Sequence, residues 1–186
     1  GHAAMPHLAR DPIVAAANIV LACQTIVSRV VDPLEPAVVS IASIHAGEAY
    51  NIIPDKVEMR VGFRTLSDAV ADTIKAELKR IGEGVAAAHG VTVTVKDADT
   101  TPYPTTVNHP KETDIAVEAM RAVAGAEGVL DNIKPVMGSE DFAFMLKRVP
   151  GAYIFIGNGD SAPVHHPAYN FNDDVIPYGV AFWSEL

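Results

Sequence analysis

The side chains best suited to chemistry in this sequence are its histidines. Seven occur, at positions 2, 7, 45, 89, 109, 165 and 166, against a single cysteine, Cys23. His165-His166-Pro167 follows the apolar run Ala152-Tyr153-Ile154-Phe155-Ile156-Gly157. That run reads as a strand buried on both faces of a parallel sheet. Ligands of open α/β sheets collect at the carboxyl ends of strands, so a histidine there faces the expected crevice. A neutral imidazole in that place suits zinc. On spacing alone, the ordinary state of a loop histidine is solvation, and no Cys/His cluster elsewhere in the sequence completes a four-ligand site. Gly138-Ser139 precedes a predicted helix. Its backbone N–H groups could face an anion there, or Ser139 could simply cap the helix.

These residues need elements to position them. Asp11-Pro12 marks a helix start, with Asp as N-cap and Pro at the first helical position. Apolar residues at helical spacing carry this helix to about Val31, and Asp32-Pro33 stops it. Residues 37–45 are rich in Val and Ile and predict a strand. Residues 56–65 alternate Val57, Met59, Val61 and Phe63 with polar partners, a half-buried strand. Ser67-Asp68 caps a second helix ending at His89-Gly90, and residues 91–96 alternate as a third strand. The order helix, strand, strand, helix, strand is a split β-α-β unit lacking its first strand, which belongs before Gly1. Residues 100–109, with Pro102 and Pro104, form a linker. Beyond it the pattern predicts helices over 111–123, 140–149 and 175–186, and strands over 133–137 and 152–157. These are pieces of a doubly wound α/β layer, too few in strands to cover their helices.

Composition narrows the function. Asp plus Glu is 23 and Lys plus Arg is 14, a net charge of −9. Without surplus cations the chain is a poor candidate for nucleic acid or for an anionic membrane surface. One cysteine excludes a disulfide scaffold and favours a reducing compartment, so the expected location is the cytoplasm. No apolar run is read as reaching the length of a membrane span, and residues 1–10 show no signal peptide.

Several blocks, in order along the chain, resemble the zinc-dependent amidohydrolase and aminoacylase group, in its hippurate hydrolase and N-acyl-amino-acid amidohydrolase branch. They are Gly1-His2-Ala3-Ala4-Met5-Pro6-His7; Ala46-Gly47-Glu48-Ala49-Tyr50-Asn51-Ile52-Ile53-Pro54-Asp55; Gly62-Phe63-Arg64-Thr65; Gly138-Ser139-Glu140-Asp141-Phe142; and His165-His166-Pro167 with Asn170-Phe171-Asn172-Asp173. The resemblance implies an α/β protein in two parts. Residues 1–107 correspond to a split β-α-β (ferredoxin-like) lid that dimerises. Residues 108–186 correspond to the C-terminal part of a doubly wound metallohydrolase domain. It implies two divalent metal ions, zinc or manganese, with most ligands supplied by an N-terminal half that is absent from this sequence. His165 stands at the family's C-terminal metal ligand, with His166 the alternative. His2 matches the lid histidine that polarises the scissile carbonyl in the partner subunit's site. Asn51 and Arg64 match positions that hold the substrate carboxylate, a task suited to the planar fork of arginine. Gly138 and Ser139 join them as substrate-binding residues. Glu140 and Asp141 receive no catalytic role.

The implied substrate is a small N-acyl amino acid and the implied partner a second copy of the chain. Helix 11–31 has an almost uncharged face, and strand 37–45 would be a hazardous open edge if unpaired; both fit a two-fold interface. A reading from another class is a non-catalytic small-molecule-binding or dimerisation module of ferredoxin-like fold. Such a module has no need of an apolar strand at 152–157 followed by a histidine loop.

Overall fold

The computed structural model describes residues 1–97 and 103–186. Residues 100–102 of the expected linker lie outside them. The chain divides into two compact units, Gly1–Thr105 and Thr106–Leu186.

In the first unit, α1 (Pro12–Thr25) starts where the sequence places it. Asp11 Oδ1 accepts the Ile13 N–H at 2.9 Å, and Pro12 occupies the first turn. The α geometry stops at Thr25, short of the expected Val31. Ile26–Val30 widen into a π turn closed by the Val31 N–H on the Ile26 carbonyl at 2.9 Å. Asp32 precedes Pro33 and is driven out of the helical region, so the chain must already be leaving the helix. Strands β1 (Ala37–Ala46) and β2 (Val57–Thr65) form an antiparallel pair from Ala37 opposite Thr65 to Ala46 opposite Val57. The register shifts between Ile41 and Ser43. Helix α2 (Asp68–His89) is capped by Ser67 and ends at Gly90, whose φ of +66° suits glycine. The Gly90 N–H bonds the Ala87 carbonyl and the Val91 N–H bonds Ala86, a closing pair that satisfies two of the last helix acceptors. Both helices pack on each other and on the strand pair. Ile19, Cys23, Ile26, Val31, Val39, Ile74 and Ile81 form the buried core.

Residues 91–96 are not a third strand. Among the described residues the sheet has two strands. Val93 and Val95 instead lie against α2, 3.8 and 3.7 Å from where a Cβ on buried Gly82 would sit. Alternation reports which side chains find cover; it does not report whether the backbone finds a neighbouring strand. The expectation that no apolar run reaches the length of a membrane span is not met at α1 and its π turn. Pro12–Val30 is long and apolar enough to cross a membrane by length and composition. Its polar residues Asn18, Gln24, Thr25 and Ser28 interrupt the apolar run without adding charge, and Arg29 is the charged residue in it. Its inner face is in the core through Ile19, Cys23 and Ile26, while Leu21 is 70% exposed.

The second unit contains α3 (Pro110–Ala124), α4 (Phe142–Leu146) and α5 (Ile176–Glu185). Ala116, Ala119 and Phe182 form its buried centre, with Met120, Ala152 and Ile154 packed around them. The helix expected over 140–149 shrinks to α4. Asp141, not Ser139, stands at its N-cap, and Pro150 excludes Val149 from the helical region.

No strand occurs among the described residues of this unit, so 133–137 and 152–157 are not the strands expected there, and the described strands β1 and β2 both lie in the first unit. Where a neighbouring strand would stand, the Asn108 side chain meets the peptide of Tyr153. Its Nδ2 donates to the Tyr153 carbonyl at 2.9 Å, and its Oδ1 accepts the Tyr153 N–H at 2.8 Å. The His109 N–H adds a bond to the Gly151 carbonyl at 3.0 Å. The run is not buried on both faces: Phe155 is 58% exposed and Ile156 54%. Its apolar composition states a demand for cover that only other parts of a fold can meet.

Candidate functional site

Residues 1–3 run antiparallel to 51–53. The Ile53 N–H donates to the Gly1 carbonyl at 2.8 Å and the Ala3 N–H to the Asn51 carbonyl at 3.0 Å, with His2 bridged to Ile52. Ile53 is buried, and Pro54 lies 3.7 Å from the position a Cβ on Gly47 would take, so the two ends of the loop meet. This pairing puts His2 and Asn51 on adjacent backbone positions, both exposed. The His2 Nδ1 accepts the Ala4 N–H at 3.1 Å. An Nδ1 that accepts leaves the ring proton of neutral imidazole on Nε2, so His2 offers an outward N–H donor.

Arg64 is on β2 opposite Val38, at the end of the strand away from this loop. About 23 Å of strand separates it from Val57, where β2 begins. Its guanidinium donates to the Phe63 carbonyl at 2.8 Å and is solvent-exposed. The structure therefore joins His2 to Asn51 and leaves Arg64 elsewhere on the same unit.

In the second unit Gly138 and Ser139 are exposed, in the segment leading to α4. Glu140, in that segment, lies close enough to the Tyr153 phenol for its charge to act on it. The Tyr153 ring packs on Phe142 at 5.7 Å between centroids and on Phe155 at 5.3 Å. Burial first, then the charge of Glu140, the hydrogen bond to it and the charge of Asp141, push the Tyr153 phenol above its ordinary range.

His165 sits in the loop after residue 157, exposed, with φ +70°, the one non-glycine left-handed residue among those described. Its neighbour is committed otherwise: His166 Nδ1 accepts the Ala168 N–H at 3.0 Å, and its backbone accepts from Tyr169 at 2.9 Å. The neutral His166 ring therefore carries its proton on Nε2 and has no free lone pair, whereas no hydrogen bond engages the His165 ring among the described residues. Cys23 is buried in the first core, and burial raises its thiol pKa, so it behaves as an apolar residue. Among the described residues no group of three or more His, Cys, Asp or Glu side chains could hold a metal ion. The donors present do not by themselves fit a metal pair.

Three residues that position this site escape a reading by side-chain chemistry: Asn108, Tyr153 and Asn158. Their signals were the Asn-His-Pro entry to α3, an aromatic alternating with aliphatics, and the turn dipeptide Asn158-Gly159.

Comparison with known proteins places this geometry in a family context. The profile of Peptidase family M20/M25/M40 matches residues 9–186. Hippurate hydrolase from Campylobacter jejuni is 33% identical over 186 residues, covering 100% of this chain and 48% of that protein. A crystal structure from methicillin-resistant Staphylococcus aureus superposes with TM-score 0.84 at 34% identity, covering 100% of this chain and 47% of that one. A dinuclear metal-binding M20 peptidase from Bacillus subtilis superposes with TM-score 0.74 at 30% identity, covering 94% and 44%. The chain spans about half the length of these relatives.

Proposed function

The chain belongs to Peptidase family M20/M25/M40, and from that premise we propose that the whole protein is a metal-dependent amidohydrolase cleaving the amide bond of N-acyl amino acids of the hippurate type. In this reading residues 1–107 are the split β-α-β lid that dimerises. Residues 108–186 are the C-terminal segment of a doubly wound metal-binding domain. Two divalent ions, zinc or manganese, belong to the whole protein, in line with the dinuclear Bacillus subtilis relative. His165 is the donor this chain contributes. One imidazole builds no metal pair, so the chemistry assigned to these residues is binding and polarisation.

The observation that carries the reading is that two exposed imidazoles are prepared for opposite tasks. The Ala4 N–H on Nδ1 makes His2 an Nε2–H donor, as needed to stabilise the negative charge that an amide carbonyl develops during hydrolysis. The His165 ring keeps its lone pair, while His166 has spent its own on Ala168. Asn51 beside His2 serves the substrate carboxylate, with Gly138 and Ser139 as further substrate-binding residues; Arg64, at the other end of β2, brings its planar fork to the same carboxylate only from a second copy of the chain.

The test is hydrolysis of hippurate and related N-acyl amino acids by the whole protein, with and without chelator. Chelation should abolish turnover and zinc or manganese should restore it. His165→Ala should lower bound metal while His166→Ala leaves it near wild type. Hydrolysis that chelator leaves untouched would sink the metal mechanism and favour a different hydrolase chemistry. Binding of N-acyl amino acids without turnover would favour the non-catalytic module.

A further inference from the structure

The loop that carries His165 is closed at its mouth by one side chain. Asn158 Nδ2 donates to Ser161 Oγ at 2.9 Å and to the Asn170 carbonyl at 2.9 Å. Asn158 Oδ1 accepts the Asn172 N–H at 2.8 Å. A carboxamide offers two N–H donors and one carbonyl acceptor, and here each kind of group reaches across the loop mouth. Gly159, at φ +75°, lets the chain turn away at once, and a Cβ there would sit 3.6 Å from Asn172 Nδ2. Asn172 continues the connection. Its Oδ1 accepts the Asp174 N–H at 3.0 Å, which begins the turn Asp173–Val175 that leads into α5. Inside the loop, the His166 N–H donates to the Pro163 carbonyl at 3.1 Å and the Tyr169 N–H to the His166 carbonyl at 2.9 Å. His165 is therefore held in its left-handed turn by bonds made on both sides of it and by none of its own ring.

We propose that Asn158 is the positioning residue for His165: its carboxamide staples residues 158–161 to 170–172 and so fixes where the His165 imidazole is presented. The role of that imidazole as a metal donor rests on the functional reading above; the staple does not. The residue type follows from the geometry. An aspartate would keep an acceptor for the Asn172 N–H but set a carboxylate against the Asn170 carbonyl and lose both donated bonds. A fixed imidazole is what a metal partner needs, since loss of a residue that orients a ligand typically weakens metal binding about 10–100-fold.

The experiment is amide hydrogen exchange by NMR on the whole protein, together with the ring signals of His165. In Asn158→Ala the Asn172 amide should exchange about tenfold faster, the scale of one lost hydrogen bond. The His166, Ala168 and Tyr169 amides should follow, and the His165 ring signals should move toward those of a free imidazole. Amides of α3 should keep their rates, showing that the unit is folded. In Asn158→Asp the Asn172 amide should stay within about twofold of wild type while the loop amides still speed up. Unchanged loop amides and unchanged His165 signals in either variant, with α3 protected, would overturn the proposal. If the alanine variant loses α3 protection, the aspartate variant decides alone. The functional reading fails separately: if the loop loosens as expected yet His165→Ala leaves the metal content of the whole protein unchanged, the staple stands and the donor assignment falls.

Discussion

Tyr153 is where several lines of the second unit meet. It receives the Asn108 carboxamide on its peptide, packs on two aromatic rings and faces the charge of Glu140. Its phenol lies above the ordinary value of about 10. The folded state therefore holds this proton more tightly than the unfolded chain does. The stabilisation is complete below pH about 10 and is lost as pH rises through the higher folded value. Urea unfolding followed by Trp183 fluorescence should show a midpoint that falls as the pH rises above about 10. In Tyr153→Phe this fall should be shallower, although the variant starts lower at neutral pH. Equal slopes for the two proteins would mean that the Glu140 contact does not persist in solution. At this scale the sequence exposed the histidines but not their tautomers. Which nitrogen of His2 or His166 carries the proton depends on backbone N–H groups at Ala4 and Ala168, which spacing alone does not aim.

Among elements, the starts and stops of α1 and α2 were written locally. Asp11-Pro12, Ser67 and Gly90 act through their own side chains or φ preferences, within a turn of where they stand. The energetics of the same helices are not local. Ile74 is completely buried between α2 and its neighbours, and Ile74→Ala should cost about 2–5 kcal/mol through lost burial and the cavity left behind. Leu21, 70% exposed on the outer side of α1, should cost less than about 0.5 kcal/mol when replaced by alanine in a monomeric chain. Chemical denaturation of the two variants checks both. A Leu21→Ala cost as large as that of Ile74→Ala, growing with protein concentration, would show that the outer face of α1 is covered by a second copy.

For the whole molecule the open matter is whether one active site draws on two subunits. His2 and His165 lie in different units of this chain, and in the proposed dimer the lid histidine serves the neighbour. Whole protein carrying His2→Ala and whole protein carrying His165→Ala should each be nearly inactive. After subunit exchange, half the dimers are mixed, and each mixed dimer has one site with both lesions and one with neither. Activity should then return to roughly a quarter of wild type. No return after proven exchange would place His2 in its own subunit's site, or outside any site.

The sequence by itself determined what is short-ranged: the helix caps, the glycine stops, the alternation of β2, and the motif blocks that carry family membership. These need only the chain within a few residues, because a cap or a turn is satisfied by its own neighbours. Only the tertiary structure decided which backbone found a partner. Residues 91–96 packed on Gly82 of α2 instead of joining the sheet, and 152–157 received a carboxamide rung from Asn108 instead of a strand. It also decided that His2 meets Asn51, and that Asn158 closes the loop around His165. Each of these pairs residues far apart in the chain. Periodicity records a preference for burial, while the identity of the partner depends on how distant segments share the same space.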